Sequence, residues 1–244
     1  MVLEPDFVSV VLPTFNRAEL LPRSIRSILN QSHRNFELIV IDDGSTDSTE
    51  TIVAGIDDAR VRYIRLDCNR GQAAARNLGI AACNADLVAF QDSDDVWLPD
   101  KLSRQLDILR NDADLAGVYS DLMRHNASGA RFVFKAPDLV VGSFFDDRPT
   151  LYQTYGLGIQ TCLLRKKVLI DLGGFREDMR CYEDLELLLR IAYWHRLQRV
   201  PEALVEYFET ADSVSTNVKA ERRAHEILLG SYGRLGQICS AKGP

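Results

Sequence analysis

The chain has 244 residues, 46% hydrophobic and 26% charged, with a net charge of −6. That length can bury a sizeable core, and the composition excludes fibrous, collagenous and disordered classes. An acidic balance also argues against a partner held mainly through phosphate charge, so no nucleic-acid partner is expected.

Residues 7–12 form a β-branched run ended by Pro13 and read as a first, buried strand. Thr14-Phe15-Asn16-Arg17 follows as a loop, and Leu20, Leu21, Ile25, Ile28 and Leu29 then recur at helical spacing as far as about Gln31. Residues 36–41 are a second buried strand running into Asp42-Asp43-Gly44-Ser45. Asp47 or Ser48 is placed to cap a helix over 49–56. A third strand over 61–66 and the turn Asn69-Arg70-Gly71 lead into an Ala-rich helix over 72–83. The fourth strand, 87–91, delivers Asp92-Ser93-Asp94-Asp95.

The second half is less clearly patterned. A helix over 101–111 and a strand over 116–120 are expected, with weak strand patterns at 131–134 and 142–145. A short strand at 162–165, a helix at 166–172 and a turn at 173–177 come next. Tyr182-Glu183-Asp184 opens a helix whose Leu185, Leu188, Leu189 and Ala192 face a core, and 201–208 is a strand. A mixed-charge helix over 218–240 packs on the domain or pairs in a homodimer. Trp97 and Trp194 are both expected to pack inside. No stretch approaches the ~20 apolar residues of a membrane span. The N-terminus has no basic stretch followed by an apolar core, so a cytoplasmic location is expected. Five scattered cysteines without a Cys-x-x-Cys pair read as reduced thiols.

Strands alternating with helices through the first ninety residues indicate an α/β, Rossmann-like, mostly parallel sheet flanked by helices. Ligands of such sheets sit outside the carboxyl ends of the strands. Three of those ends carry polar loops, at 14–17, 42–45 and 92–95, and their convergence marks a site. Three carboxylates within four positions repel one another unless a cation offsets them, and oxygen ligands select Mg²⁺, Mn²⁺ or Ca²⁺ over zinc. No Gly-x-Gly-x-x-Gly or Gly-x-x-x-x-Gly-Lys-Ser/Thr sequence is present. A bound nucleotide must then be held by side chains and a metal. At the other acidic pair, Glu183 and Asp184, plain capping of a helix N-terminus is the competing reading.

Taken together, Val10-Val11-Leu12-Pro13-Thr14-Phe15-Asn16-Arg17, Asp42-Asp43-Gly44-Ser45, Asn69-Arg70-Gly71, Ala75-Arg76-Asn77, Gln91-Asp92-Ser93-Asp94-Asp95, Gly173-Gly174-Phe175 and Glu183-Asp184 occur in an order and spacing that resembles the family-two inverting glycosyltransferases. The resemblance runs from residue 7 to about 215 and implies a GT-A fold over 1–215. In it, about 1–115 would bind the nucleotide-sugar and about 116–215, a smaller subregion, the acceptor; 216–244 would be a C-terminal helical extension. It implies that Asp43 recognises the base and that Pro13, Thr14, Asn16 and Arg17 touch the nucleoside. Arg76 would reach base or phosphates, with Arg70 a weaker candidate. Asp92 would contact the ribose beside Ser93, and Asp94 would hold Mn²⁺ or Mg²⁺. Asp184 matches the base position, and Glu183 is the neighbour most easily confused with it; Asp95 is either a second support to the metal or a helix cap.

The implied activity is transfer from a nucleoside-diphosphate-sugar, UDP favoured, to a hydroxyl of a carbohydrate or lipid-linked acceptor, as in bacterial surface polysaccharide or lipopolysaccharide assembly. A lipid-linked acceptor would bring the enzyme to the inner face of the membrane. Two features depart from the pattern. No His follows Tyr207-Phe208-Glu209-Thr210, and neither the Gln-x-x-Arg-Trp sequence nor the transmembrane helices of the processive synthases are present. A soluble enzyme adding one residue per encounter is therefore expected. The competing readings are a non-catalytic nucleotide-sugar-binding domain, against which the intact acids argue, and a sugar-nucleotide pyrophosphorylase, whose glycine-rich loop is absent.

Overall fold

A computed structural model of the chain describes residues 6–126, 128–139, 141, 157–209, 223, 224 and 226–228. The strand expected at 142–145 and most of the C-terminal helix lie outside them. Within that helix, residues 223, 224 and 226–228 are helical, and Ala224, Ile227 and Leu228 are buried in the domain's core.

The first half alternates as its pattern predicts: β1 (Val8–Thr14), α1 (Leu21–Leu29), β2 (Phe36–Asp42), α2 (Thr49–Ala54), β3 (Val61–Arg65), α3 (Gln72–Ala82) and β4 (Leu87–Phe90). Strands β3, β2, β1 and β4 lie side by side in parallel. Every residue of β1, β2 and β4 is buried, as expected of strands covered on both faces. Of the two carboxylates in β2, Glu37 and Asp42, the first is satisfied by the Ser9 hydroxyl at 2.6 Å, Arg62 at 2.7 Å and the Asn84 amide at 2.7 Å. Helix α3 lies against β1 because Gly79 lacks a side chain: a Cβ there would stand 2.3 Å from Val11 Cγ1. Asp47, not Ser48, tethers the start of α2, accepting from the Thr49 amide at 3.0 Å.

Beyond β4 the sheet turns mixed. The remaining elements are β5 (Val96–Trp97), α4 (Lys101–Asn111), β6 (Leu115–His125), β7 (Arg131–Phe134), a 3₁₀ turn (Ile159–Thr161), β8 (Cys162–Arg165), α5 (Lys166–Asp171), α6 (Glu183–Trp194) and β9 (Arg196–Phe208). Among the described residues the strand order is β3-β2-β1-β4-β8-β6-β9-β5, with β7 on β6. β8 runs antiparallel to both β4 and β6, while β9 is parallel to β6. The mostly parallel expectation therefore holds for the first four strands and gives way to a mixed sheet after them.

Strands β6 and β9 are far longer than their apolar cores predict. Asp121 interrupts the pattern of β6 yet is buried, because Arg199 of β9 pairs with both its oxygens at 2.7 Å. In β9, Pro201 and Glu202 sit in a register shift between Val200 opposite Ser120 and Ala203 opposite Asp121. That bulge spares proline a ladder hydrogen bond. Trp97 is buried as expected, whereas Trp194 at the end of α6 is 60% exposed and packs edge-on to Tyr193. The four described cysteines, Cys68, Cys83, Cys162 and Cys181, are thiols outside any disulfide.

Lys101 lies fully buried in the first turn of α4, over the Trp97 ring at 4.1 Å, with Nζ donating to Gln105 Oε1 at 2.8 Å. Burial pushes its ammonium down to about 7. Between about pH 7 and its ordinary value of 10.5 the unfolded chain holds a proton that the folded chain has released. Stability then rises with pH across that window, at up to about 1.4 kcal/mol per pH unit. Urea unfolding of Lys101→Met should lose this slope between pH 7 and 10; an unchanged slope would assign it to other groups.

Candidate active site

The three polar loops do converge. Asn16, with a left-handed φ of 51°, donates its backbone amide to Ser45 Oγ at 2.9 Å, and its side-chain oxygen accepts from the Thr46 amide at 2.8 Å. The loops after β1 and β2 are thus buttoned together. Asp42 is consumed inside the fold by the Ser45 amide and the Tyr63 hydroxyl. Asp43 is also buried, accepting from the Arg70 amide at 2.7 Å and the Gly71 amide at 2.8 Å. Each of its oxygens keeps a lone pair beyond those bonds. Gly44 makes this packing possible: its φ is +78°, and a Cβ would fall 2.7 Å from the Cys68 carbonyl carbon.

The loop after β4 is held from below. Ser24 donates to the Asp92 carbonyl at 2.9 Å, and Arg23 donates to that of Asp94. Asp95 neither caps a helix nor faces the cleft. It is fully buried, accepting from the Phe208 amide and from Gln160 Nε2, both at 3.1 Å. Burial, then the neighbouring Asp92 and Asp94 charges, raise its carboxyl well above the ordinary range. It ties the acidic loop to the end of β9 and to the 3₁₀ turn.

Tyr182, at φ 58°, starts α6 in a left-handed conformation without a side-chain cap, and Glu183 and Asp184 occupy the first turn. Arg76 of α3 reaches between this turn and the acidic loop. Its guanidinium is almost wholly buried, 2.8 Å from Asp92 Oδ1 and 2.6 Å from Glu183 Oε1. Plain capping therefore does not account for Glu183. Asp184 accepts from the Leu185 amide at 2.8 Å. Burial, then the Glu183 charge, raise it to about 6 against the opposing pull of Arg76. Two adjacent acids are thus separated by environment, one locked in an ion pair and one tuned near neutrality.

These groups line a cleft of about 460 Å³. Pro13, Arg17, Arg76, Asp92, Ser93, Asp94, Glu183 and Asp184 border it; Thr14, Asn16 and Asp43 do not, and brace the loops beside it. Arg76, expected to reach a base or phosphate, is engaged with two carboxylates instead. Arg70 turns its guanidinium to Glu177, 3.5 Å away. Leu122, Arg124, Phe134, Gln160 and Tyr207 line it too, and of these the sequence names only Tyr207, in the segment that lacks a His. Their signal exists only across strands. No group of three or more His, Cys, Asp or Glu side chains among the described residues is placed to hold a metal alone.

A family model described as glycosyl transferase family 2 matches residues 9–173. The chain belongs to glycosyl transferase family 2. Among family relatives, it is 33% identical over 192 residues to an uncharacterized glycosyltransferase of Rickettsia conorii, covering 78% of this chain but 31% of that protein. It therefore spans about a third of the length of that relative. It is 27% identical over 233 residues to the UDP-Glc:alpha-D-GlcNAc-diphosphoundecaprenol beta-1,3-glucosyltransferase WfgD of Escherichia coli, covering 94% of this chain and 88% of WfgD. Residues 1–349 of S. aureus TarS, crystallised with UDP, superpose with a TM-score of 0.68 at 23% identity, over 83% of this chain and 60% of that one. The family's GT-A fold is thus the fold of this chain. None of its described helices is long and apolar enough to cross a membrane.

Proposed function

We propose that the chain is an inverting glycosyltransferase moving a sugar from a nucleoside-diphosphate-sugar, UDP-linked, to a hydroxyl of a carbohydrate or lipid-linked acceptor. The observation that carries this reading is Asp184: a carboxyl raised to about 6, facing the Asp92–Asp94 loop across one cleft. A base with a pKa near the working pH can take the acceptor proton as the new bond forms. The acceptor oxygen attacks the anomeric carbon, the carbon–oxygen bond to the diphosphate breaks on the opposite face, and Asp184 keeps the proton. WfgD, whose name specifies a UDP-Glc donor and a diphosphoundecaprenol-linked acceptor, supports UDP and a lipid-linked acceptor. An acceptor of that kind would bring the chain to the inner membrane face.

Glu183 is assigned to Arg76 rather than to proton transfer. In the donor half, about 1–115, Asp43 recognises the base from beside the cleft, through the lone pairs it keeps, next to Thr14 and Asn16, with Pro13 and Arg17 on the cleft's border. Asp92 and Ser93 contact the ribose, and about 116–215 faces the acceptor. The four acids bordering the cleft, Asp92, Asp94, Glu183 and Asp184, outnumber its three arginines, Arg17, Arg76 and Arg124, and a diphosphate adds further negative charge, so an added cation fits this donor set. Asp94 would hold it together with the diphosphate; Mg²⁺ shared with a substrate needs only one or two carboxylates. Bound there, Mn²⁺ or Mg²⁺ would offset the charge building on the leaving diphosphate.

Thermal unfolding with UDP or GDP, each with and without Mn²⁺, tests this. UDP at 100 times its Kd should stabilise by about 2.7 kcal/mol, a rise of about 5–10 °C for a chain of this size, and only with metal. A GDP response in its place would move the donor to GDP-sugars. Silence to both from folded protein would sink the reading.

A further inference from the structure

Part of the cleft's lining is built by three strands in register. Arg124 of β6 stands opposite Phe132 of β7 on one side and Tyr207 of β9 on the other. The row below holds Phe134, Leu122 and Val205. Side chains two apart on a strand share a face, and Leu122, Arg124, Phe134 and Tyr207 all line the cleft. Phe132 is therefore on the cleft face too, one row beyond Phe134, and it is 48% exposed. The result is a guanidinium flanked by two aromatic rings, about 10 Å across two strand spacings. It runs outward from the chamber that Asp184 borders. The Arg124 guanidinium donates through Nε to Glu209 Oε1 at 2.8 Å and lies 5.5 Å from the Tyr207 ring.

Resting on the glycosyltransferase reading, we propose that Phe132, Arg124 and Tyr207, with Glu209, form an acceptor subsite for an uncharged pyranose set back from the reacting hydroxyl. The apolar C–H face of a pyranose matches an exposed aromatic ring, while its rim of hydroxyls both donates and accepts. Arg124 paired with Glu209 presents both kinds of partner at one place. A phosphate would meet the Glu209 carboxylate, and a hydrocarbon tail would have to desolvate the ion pair. A neutral sugar meets neither penalty. Arg124 acts here in binding, and Phe132 as the stacking platform that decides which acceptors seat.

The test uses the full chain with UDP and Mn²⁺ present, and reads binding of free uncharged gluco- and galacto-oligosaccharides, two to four residues long, by saturation-transfer NMR. Their 6-phosphorylated counterparts run in parallel. At least one uncharged sugar should bind, Phe132→Ser should weaken it by about tenfold, and Phe132→Tyr should keep it. The UDP-induced rise in Tm should be the same in both variants. Failure of every sugar to bind, indifference to Phe132→Ser, or tighter binding of the phosphorylated sugars would overturn the subsite while an intact UDP response left the glycosyltransferase reading standing. Loss of the UDP response in Phe132→Ser would place the platform on the donor side and overturn the subsite equally. A wild-type chain silent to UDP as well would take both readings down together.

Discussion

Asp184→Asn is expected to lower the transfer rate by about 10²–10⁴-fold, the usual contribution of a positioned general base. UDP and metal binding should remain. Asn preserves the shape and can still accept from the Leu185 amide, but it cannot hold the acceptor's proton. In the parent enzyme kcat/KM should fall tenfold per pH unit below about 6, where Asp184 becomes protonated. Stability should move the other way. Because the folded-state value lies above the ordinary 3.8, the group's contribution is fully present below that value and lost as pH rises through about 6. At pH 7 the ionised carboxylate is a burden, so Asp184→Asn should unfold no earlier than the parent. A near-parental rate would refute the base assignment. Binding without turnover in the parent itself would instead favour a non-catalytic domain.

Arg76→Met should be the most destabilising single change in the site. It leaves Glu183 buried without a counter-charge, and breaking a buried pair from one side costs about 3–5 kcal/mol. That is a large fraction of the 5–15 kcal/mol typical of a folded domain, and about 6–20 °C in Tm at this size. Adding Glu183→Gln should return part of the loss, because the two residues share one interaction and their effects do not add. Urea denaturation of the four proteins completes the cycle. Strict additivity would mean that the Arg76–Glu183 contact contributes nothing.

How much of this was legible beforehand varied along the chain. The β1–β4 half is readable because its strands other than β3 are predominantly apolar runs, interrupted inside only by Ser9 in β1 and Glu37 in β2, and its helices are marked by apolar spacing, a cap or alanine content. Chain order alone puts their ends together. β5 escaped because two residues carry no pattern, and β6 and β9 were cut short because their polar members are solvated by each other. Asp121 looks like a strand terminator until Arg199, 78 residues later, is seen to cover it. Trp194 looked like core and is exposed, since an aromatic on an amphipathic helix does not disclose where the helix stops being covered.

The sequence by itself determined the fold class, the acids at strand and helix ends, and the family, since those rest on local runs and their order. Tertiary structure alone decided what each acid is for. Asp95 became a staple, Glu183 a partner of Arg76 and Asp184 the tuned carboxyl, because the state of a charge depends on its burial and nearest neighbours, and those come from distant parts of the chain. The Phe132–Arg124–Tyr207 wall belongs to the same category: its members meet only through strand register, which residue spacing does not encode.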